Sequence, residues 1–163
     1  MEYNLRYTVK YYVFLFLLFI GFDQETKTLA LYGLKSGAFG IWDGLRLCLT
    51  FNKGVSFSLF SNISVIGYYF LISFMILLIM FFLVYTYSEY ISGNNIFFEV
   101  MVLAGAISNI FDRYLYGAVI DFIEFSIFGY IFPTFNFADA LIFIGVFGIL
   151  MQMFILKKRG VYL

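Results

Sequence analysis

The sequence predicts an all-α membrane protein, a bundle of four transmembrane helices with a small extracytoplasmic β-sheet between helices 1 and 2. The 163-residue chain is 63% hydrophobic and only 12% charged, whereas a soluble domain is roughly 45–50% apolar and about 25% charged. A chain this short has too much surface relative to its volume to hide so many apolar side chains from water. Lipid is therefore expected to solvate much of it, in one membrane domain covering residues 1–163.

Four apolar stretches are each long enough, at roughly 20 residues, to cross about 30 Å of hydrocarbon. They cover about residues 11–32, 65–85, 96–115 and 137–156. Lipid offers no partner for a free backbone N–H or C=O, so each stretch should be helical. Basic residues lie outside the first and fourth stretches: Arg6, Lys10, Lys157, Lys158 and Arg159. The positive-inside rule then places both termini in the cytoplasm, although three basic residues between the first two spans oppose it mildly.

The segment of about residues 37–60 differs from the spans, because it holds four glycines and Trp42 among other aromatic residues. Leu45–Leu47 and Val55–Leu59 alternate apolar and polar side chains, which is the period of a half-buried strand. We expect short strands or a hairpin at the membrane surface, where an aromatic ring can keep one end in water.

The residue types present exclude several kinds of site. The chain has no His, which rules out Ser-His-Asp and Cys-His centres and removes the commonest metal ligand. Its one cysteine, Cys48, can form neither an internal disulfide nor a thiolate metal site and should behave as a small hydrophobic residue. A net charge of zero offers no basic surface for nucleic acid. We expect no metal, no cofactor and no nucleic-acid partner.

Acidic residues near the last two spans are the candidates for chemistry. Between residues 100 and 156 there are four acids and one base: Asp112, Asp121, Glu124, Asp139 and Arg113. The predicted topology places Asp112 and Asp139 at the outer ends of spans three and four, with Asp121 in the link between them. Two carboxyls held together at low dielectric do not both ionise, so one keeps a proton while the other is a base. An aspartic peptidase needs this arrangement.

Local spacing predicts supporting contacts. Gly105, Asn109 and Arg113 fall on one helical face, and the glycine allows a partner helix to approach closely. Arg113 is expected to neutralise Asp112 or to order the end of the third helix.

Two further pairs have the spacing of local contacts. Asn136 precedes the fourth span by one residue, and Asp139 follows three positions later, as in a helix N-cap with an acid in the first turn. Asp23 and Lys27 are spaced i, i+4 on the first span, which predicts an ion pair.

Four segments in chain order resemble the motifs of lipoprotein signal peptidases (signal peptidase II). They are DQETK at residues 23–27, FNKGVSFS at 51–58, GAISNIFDRYLYGAVIDF at 105–122 and FPTFNFAD at 132–139. Each is weak alone, but together they cover nearly the whole chain and are highly specific. The departures are Val55 and Ser56, where small residues such as Ala are usual, and Ser108, where Gly is usual. They put the fine fit of the substrate in doubt.

The resemblance implies the function. Members of that family remove signal peptides from diacylglyceryl-modified bacterial prolipoproteins and cut before the lipidated Cys. It implies Asp121 and Asp139 as the catalytic dyad, and a supporting set of Asp23, Lys27, Asn52, Gly54, Asn109, Asp112, Arg113 and Asn136. It also implies membrane lipid and globomycin-type cyclic peptide inhibitors as partners, and a bacterial cytoplasmic-membrane location with the site at the extracytoplasmic face. A mobile segment after Asp121 would cover the site.

Two other classes of function remain. A small transporter subunit with a carboxylate relay also carries membrane acids, but it predicts acids at the midplane and interrupted helices. A purely structural subunit predicts that Asp-to-Asn changes cost no more than packing.

Overall fold

Four long helices, named α1 to α4, form the frame of the molecule. The computed structural model describes residues 2–54 and 64–158. The helices are α1 Glu2–Gly33, α2 Val65–Ile91, α3 Phe97–Tyr116 and α4 Phe137–Lys158. Each predicted stretch corresponds to one helix, but α1 starts earlier and α2 ends later than their apolar stretches, because backbone hydrogen bonding continues past the apolar residues.

Two of these helices, Val65–Ile91 and Phe137–Ile155, are long and apolar enough by length and composition to cross a membrane. α2 buries only Thr86 and exposes large apolar side chains such as Phe70 and Phe81. A helix that is apolar on all sides and not covered by protein is suited to lipid.

The helix α3 lies at the centre and packs against α1, α2 and α4, whereas α2 and α4 make no extensive contact in the described part of the chain. A Cβ added to Gly105 would lie 2.4 Å from the carbonyl oxygen of Ala138 on α4. From the α4 side, a Cβ on Gly145 would lie 2.7 Å from the Phe98 carbonyl oxygen. These glycines let the two backbones approach closely, as the position of Gly105 predicted.

A four-stranded antiparallel sheet in the order β1-β2-β3-β4 lies at one end of the helices. Its strands are β1 Phe39–Trp42, β2 Leu45–Asn52, β3 Val119–Ile127 and β4 Tyr130–Ile131. The prediction of a sheet between helices 1 and 2 is therefore only half correct, since β3 and β4 come from between α3 and α4. Of the two alternating stretches, Leu45–Leu47 lies in β2 and Val55–Leu59 is outside the described residues.

Asp121 lies in the link between α3 and α4, as the sequence suggested, and within that link it lies on strand β3. Thr50 pairs with Asp121 and Asn52 with Val119 across the β2–β3 ladder. The turn from α3 into β3 uses Gly117 at φ +68°, and its N–H donates to the Arg113 carbonyl. Only glycine adopts such a left-handed C-cap without strain. The sheet thus carries Asp121 to the end of α3.

Candidate active site

A buried lysine connects two acids from different helices. The Lys27 Nζ is 2.7 Å from Asp23 Oδ2 and 2.8 Å from Asp112 Oδ2, and it donates to Asn109 Oδ1 at 2.9 Å. The side chains of the lysine and both aspartates are 0–1% exposed. The predicted pair of Asp23 and Lys27 is confirmed, and the lysine also neutralises an acid on α3.

The remaining hydrogen bonds of Asp23 connect α1 to α3 and α4. Asp23 Oδ1 accepts from the Ala138 N–H at 2.7 Å, and Oδ2 accepts from the Ser108 hydroxyl at 2.7 Å. Ser108 thus makes a buried contact at one of the positions where the sequence departs from the motif it resembles.

Asp112, on α3, connects that helix to α1 and to β3. It accepts from Gln24 Nε2 at 2.8 Å and from the Ile120 N–H at 3.2 Å. Gln24 also donates to the Ser108 hydroxyl at 2.9 Å. Sequence reasoning did not place Gln24 or Ser108 in the site, although a polar side chain within an apolar helix is the signal that could have found them.

Arg113 forms no ion pair with Asp112 among the described residues, so the expectation that it neutralises this acid is wrong. Its guanidinium donates to the carbonyl oxygens of Lys53, at 3.4 Å, and Gly54. Asp112 is satisfied by Lys27 instead, which leaves the arginine to hold the backbone that follows β2. From α2, the Tyr68 hydroxyl donates to the Arg113 carbonyl at 3.3 Å.

Asn136 connects the two remaining aspartates. Its Nδ2 donates to Asp121 Oδ1 at 2.7 Å. Its backbone N–H donates to Asp139 Oδ2 at 3.2 Å, and its Oδ1 accepts from the Asp139 N–H at 2.9 Å. The predicted helix cap is therefore present, and the same asparagine holds a carboxylate of β3 beside a carboxylate of α4.

Two more amides hold the outer oxygens of this pair. Asn52 Nδ2 donates to Asp121 Oδ2 at 3.1 Å, and the side-chain oxygen Asn52 Oδ1 accepts from the Gly54 N–H at 3.0 Å. Asn109 Nδ2 donates to Asp139 Oδ1 at 2.8 Å. Because the Asn109 carbonyl oxygen accepts from Lys27, the amide is oriented with its NH₂ toward Asp139.

Cations are distributed unevenly among the acids. Four acids and one base lie near α3 and α4. Two of these acids are neutralised by cations from other elements, because Lys27 of α1 pairs with Asp112 and Arg46 of β2 pairs with Glu124. Among the described residues, neither Asp121 nor Asp139 forms an ion pair. These two acids have amide donors only.

Burial, and after it the nearby charge of Asp139, raise the pKa of Asp121 to about 7, against the lowering effect of the hydrogen bonds from Asn52 and Asn136 and of the charge of Lys27. Asp121 is only 1% exposed. A carboxyl with a pKa near neutrality can both hold and release a proton at physiological pH, as an acid–base catalyst must.

All ten residues singled out from the sequence lie in one continuous network of hydrogen bonds and ion pairs: Asp23, Lys27, Asn52, Gly54, Asn109, Asp112, Arg113, Asp121, Asn136 and Asp139. The network therefore joins α1, α3 and α4 to strands β2 and β3.

Known proteins resemble the chain over most of its length. The family model for signal peptidase (SPase) II matches residues 15–155. The lipoprotein signal peptidase of Helicobacter acinonychis is 34% identical over 148 residues, 91% of this chain and 89% of the relative. That of Thermodesulfovibrio yellowstonii is 37% identical over 135 residues, 82% of this chain and 86% of the relative. A bacterial membrane enzyme solved by the in meso method at 2.3 Å matches with a TM-score of 0.76 and 27% identity, over 93% of this chain and 92% of that one. The chain belongs to the signal peptidase II family.

Proposed function

We propose that this chain is a membrane aspartic endopeptidase that removes signal peptides from diacylglyceryl-modified bacterial prolipoproteins and cuts before the lipidated Cys. Membership of the signal peptidase II family supports the substrate class. The observation that carries the mechanism is the buried pair of Asp121 and Asp139, joined by Asn136 and without an ion-pair partner among the described residues.

The pair performs hydrolysis as a general acid and base. The ionised carboxylate takes a proton from a water molecule, whose oxygen attacks the scissile carbonyl carbon. The protonated carboxyl donates a hydrogen bond to the carbonyl oxygen as it becomes negative. The tetrahedral intermediate collapses when the leaving nitrogen takes a proton from the pair, which gives the carboxyl terminus of the signal peptide and the free amine of the lipidated Cys. A pKa of about 7 suits Asp121 to carry the shared proton near neutrality.

The other members of the network position this pair. Asn52 and Asn109 each hold the outer oxygen of one aspartate, while Asn136 holds both inner oxygens. Lys27, Asp23 and Asp112 fix α1 against α3, so that the helix ends keep their spacing.

We further propose that all four helices cross the membrane. α1 and α3 carry charged residues, but Asp23, Lys27 and Asp112 satisfy one another inside the protein, which removes the cost of placing them at membrane depth. Both termini then lie in the cytoplasm and the aspartate pair lies at the extracytoplasmic face.

The sheet serves as the cradle for the substrate at this face. The exposed rings of Phe39 and Trp42 on β1 suit the water–lipid interface, with the acyl chains of the substrate in lipid. Cyclic peptide inhibitors of the globomycin type would compete at the same place. The alternative of a carboxylate-relay transporter subunit has no support among the relatives, which are peptidases.

A cleavage assay tests the proposal. Detergent-purified protein is incubated with a diacylglyceryl-modified prolipoprotein and, as a matched control, with the same precursor without lipid. We expect a new amino terminus at the lipidated Cys, identified by mass spectrometry, in the first reaction only. Folded protein that leaves every lipidated precursor intact would contradict the proposed function.

A further inference from the structure

A cavity lies at the end of the bundle away from the aspartate pair. It has a volume of about 280 Å³, against about 30 Å³ for a water molecule in the liquid. Its polar lining comes from α2, α3, α4 and the connection between α2 and α3: Tyr85, Glu89, Asn94, Asn95, Glu99 and Gln152. On α3 and α4 this cavity, named the distal cavity below, lies toward the end opposite the aspartate pair.

Glu99 is the unusual residue of the distal cavity. Its side chain is 3% exposed, and its Oε2 has no hydrogen-bond partner among the described residues. An acid in the first turn of a helix is favoured by the helix dipole, and Glu99 occupies that turn of α3. The dipole does not supply a donor to the oxygen, however, and a buried carboxylate oxygen without a donor is destabilising. The site therefore suits an incoming donor with positive charge.

The remaining lining strengthens this preference. Glu89 also lines the distal cavity, and its Oε2 accepts from Asn94 Nδ2 at 2.7 Å. No lysine or arginine is among the described residues that line the cavity. Two carboxylates surrounded by amide and phenol groups select an organic cation, an ammonium or a guanidinium, over an anion or an apolar group.

The distance between the two sites matches one particular cation. Glu99 precedes Asn109, which holds Asp139, by ten positions on α3, or about 15 Å at a rise of 1.5 Å per residue. On α4, Gln152 follows Asp139 by thirteen positions, or about 20 Å. A signal peptide carries a basic n-region before an apolar stretch of about 7–15 residues, which spans about 10–22 Å as a helix.

A surface for that apolar stretch is present. α2 and α4 both pack against α3 but make no extensive contact with each other in the described part of the chain, so a peptide helix can be placed along α3 between them. A substrate helix placed along it has its cleaved bond at the aspartate pair and its n-region at the distal cavity.

We propose that the distal cavity binds a Lys or Arg side chain of the n-region of the substrate, through Glu99 and Glu89. The inference rests on the proposed function, because it assumes a signal peptide as the substrate. Binding at this second point sets the register of the peptide and contributes affinity without taking part in the chemistry.

The test compares two substrates and two enzymes. The substrates are lipidated prolipoproteins that differ only in whether the n-region carries Lys or Gln, and the enzymes are wild type and Glu99→Gln. We expect wild type to cleave the Gln substrate with a KM about tenfold higher and an unchanged kcat, as loss of one charge-assisted contact predicts. In Glu99→Gln the two substrates should have the same, raised KM. The matched control is Glu25→Gln, an exposed acid of α1 that should keep the tenfold preference.

A register series sharpens the test without altering the enzyme. In wild type, the Lys is moved in steps of four residues along a substrate of fixed total length. The KM should be lowest when about 10–14 residues separate Lys from the cleaved bond, which corresponds to about 15–21 Å of helix.

Each other outcome has a definite meaning. If wild type cleaves both substrates with the same KM, the inference is wrong and the proposed function stands, whereas no cleavage of either substrate contradicts the function itself. A preference that Glu99→Gln retains would also overturn the inference. Wild type is also assayed in phosphatidylglycerol vesicles with and without phosphatidylethanolamine. A KM that changes with the lipid amine but not with the substrate charge would assign Glu99 to a lipid and overturn the proposal.

Discussion

Asp112 and Asp121 are equally buried, at 0% and 1% exposure, but the charged groups beside them differ. Asp112, together with Asp23, shares the ammonium group of Lys27. Asp121 has amide donors and the neighbouring charge of Asp139. The shared cation makes Asp23 and Asp112 structural ties between helices. Asp121 has no ion-pair partner among the described residues, and burial together with the charge of Asp139 raises its pKa to about 7. We therefore propose that the ion-pair partner, rather than the residue type or the burial, distinguishes the structural role of Asp112 from the catalytic role of Asp121.

The largest effect should follow from changing the pair itself. Asp121→Asn or Asp139→Asn removes one proton carrier and should lower kcat by about 10²–10⁴-fold or more, below detection in an ordinary assay. The variants should still insert and fold. The measurement is the rate of release of the signal peptide, with thermal unfolding as the test of folding.

Asp112→Asn is the matched contrast, since it makes the same chemical change in the other region. It should lower stability and reduce activity less completely, because the acid holds α1 and β3 rather than the reacting atoms. Wild-type turnover in either Asp121→Asn or Asp139→Asn would remove that residue from the proposed dyad.

The second effect is on stability. Lys27→Met keeps the length and removes the charge, which leaves Asp23 and Asp112 buried without their cation. Loss of one partner from a buried pair costs about 3–5 kcal/mol in the free energy of unfolding. The melting temperature in detergent measures it. Lys35→Met, at an exposed lysine that lies over the Tyr32 ring, is the control and should change stability by about 0.5 kcal/mol or less. Equal melting of the two variants would show that the Lys27 pairs are not stabilising.

The third effect comes from the close contact between α3 and α4 at Gly105. In Gly105→Ala the new methyl group would lie 2.4 Å from the Ala138 carbonyl oxygen, so α4 must move, and Asp139 with it. We expect up to about 3 kcal/mol lower stability and lower activity. Gly21→Ala has no atom within 4 Å of the new methyl group and should be neutral or slightly stabilising. Full activity in Gly105→Ala would mean that the α3–α4 spacing does not position the pair.

The smallest effect is a pH dependence of the folding stability that arises from Asp121. The pKa of Asp121 is about 7 in the folded protein and about 3.9 in an unfolded chain. The folded state therefore binds the proton more tightly, and this stability is complete below about pH 4 and is lost as the pH rises through about 7. Between pH 5 and pH 8 the loss should be about 2–3 kcal/mol.

Thermal unfolding across this range measures the loss, and Asp121→Asn should flatten the profile. In wild type, kcat/KM should fall above about pH 7 as the shared proton is lost. A wild-type stability profile that matches that of Asp121→Asn would contradict the shifted pKa.

The sequence was sufficient wherever the determining contacts are local. The helices follow from apolar stretches, the Asp23–Lys27 pair from its i, i+4 spacing, and the cap of α4 from the three-residue step between Asn136 and Asp139. The strand β3 was not predicted, because the residues after α3 were treated only as a link between helices and the alternation of Ile123–Ile127 was not considered.

The tertiary structure alone decided which acids are neutralised. Lys27 reaches Asp112 on another helix, and Asn52 reaches Asp121 across 69 positions of the chain. Local periodicity carries no information about such contacts, because they depend on how α3 packs against α1 and how β2 pairs with β3. The sequence by itself determined the family, the helices and the candidate acids, since these depend on composition and short-range spacing. Only the fold could show that Lys27 forms an ion pair with Asp112 and that Arg113 donates to the backbone after β2. The charge environment of a carboxylate depends on neighbours that the fold brings together in space.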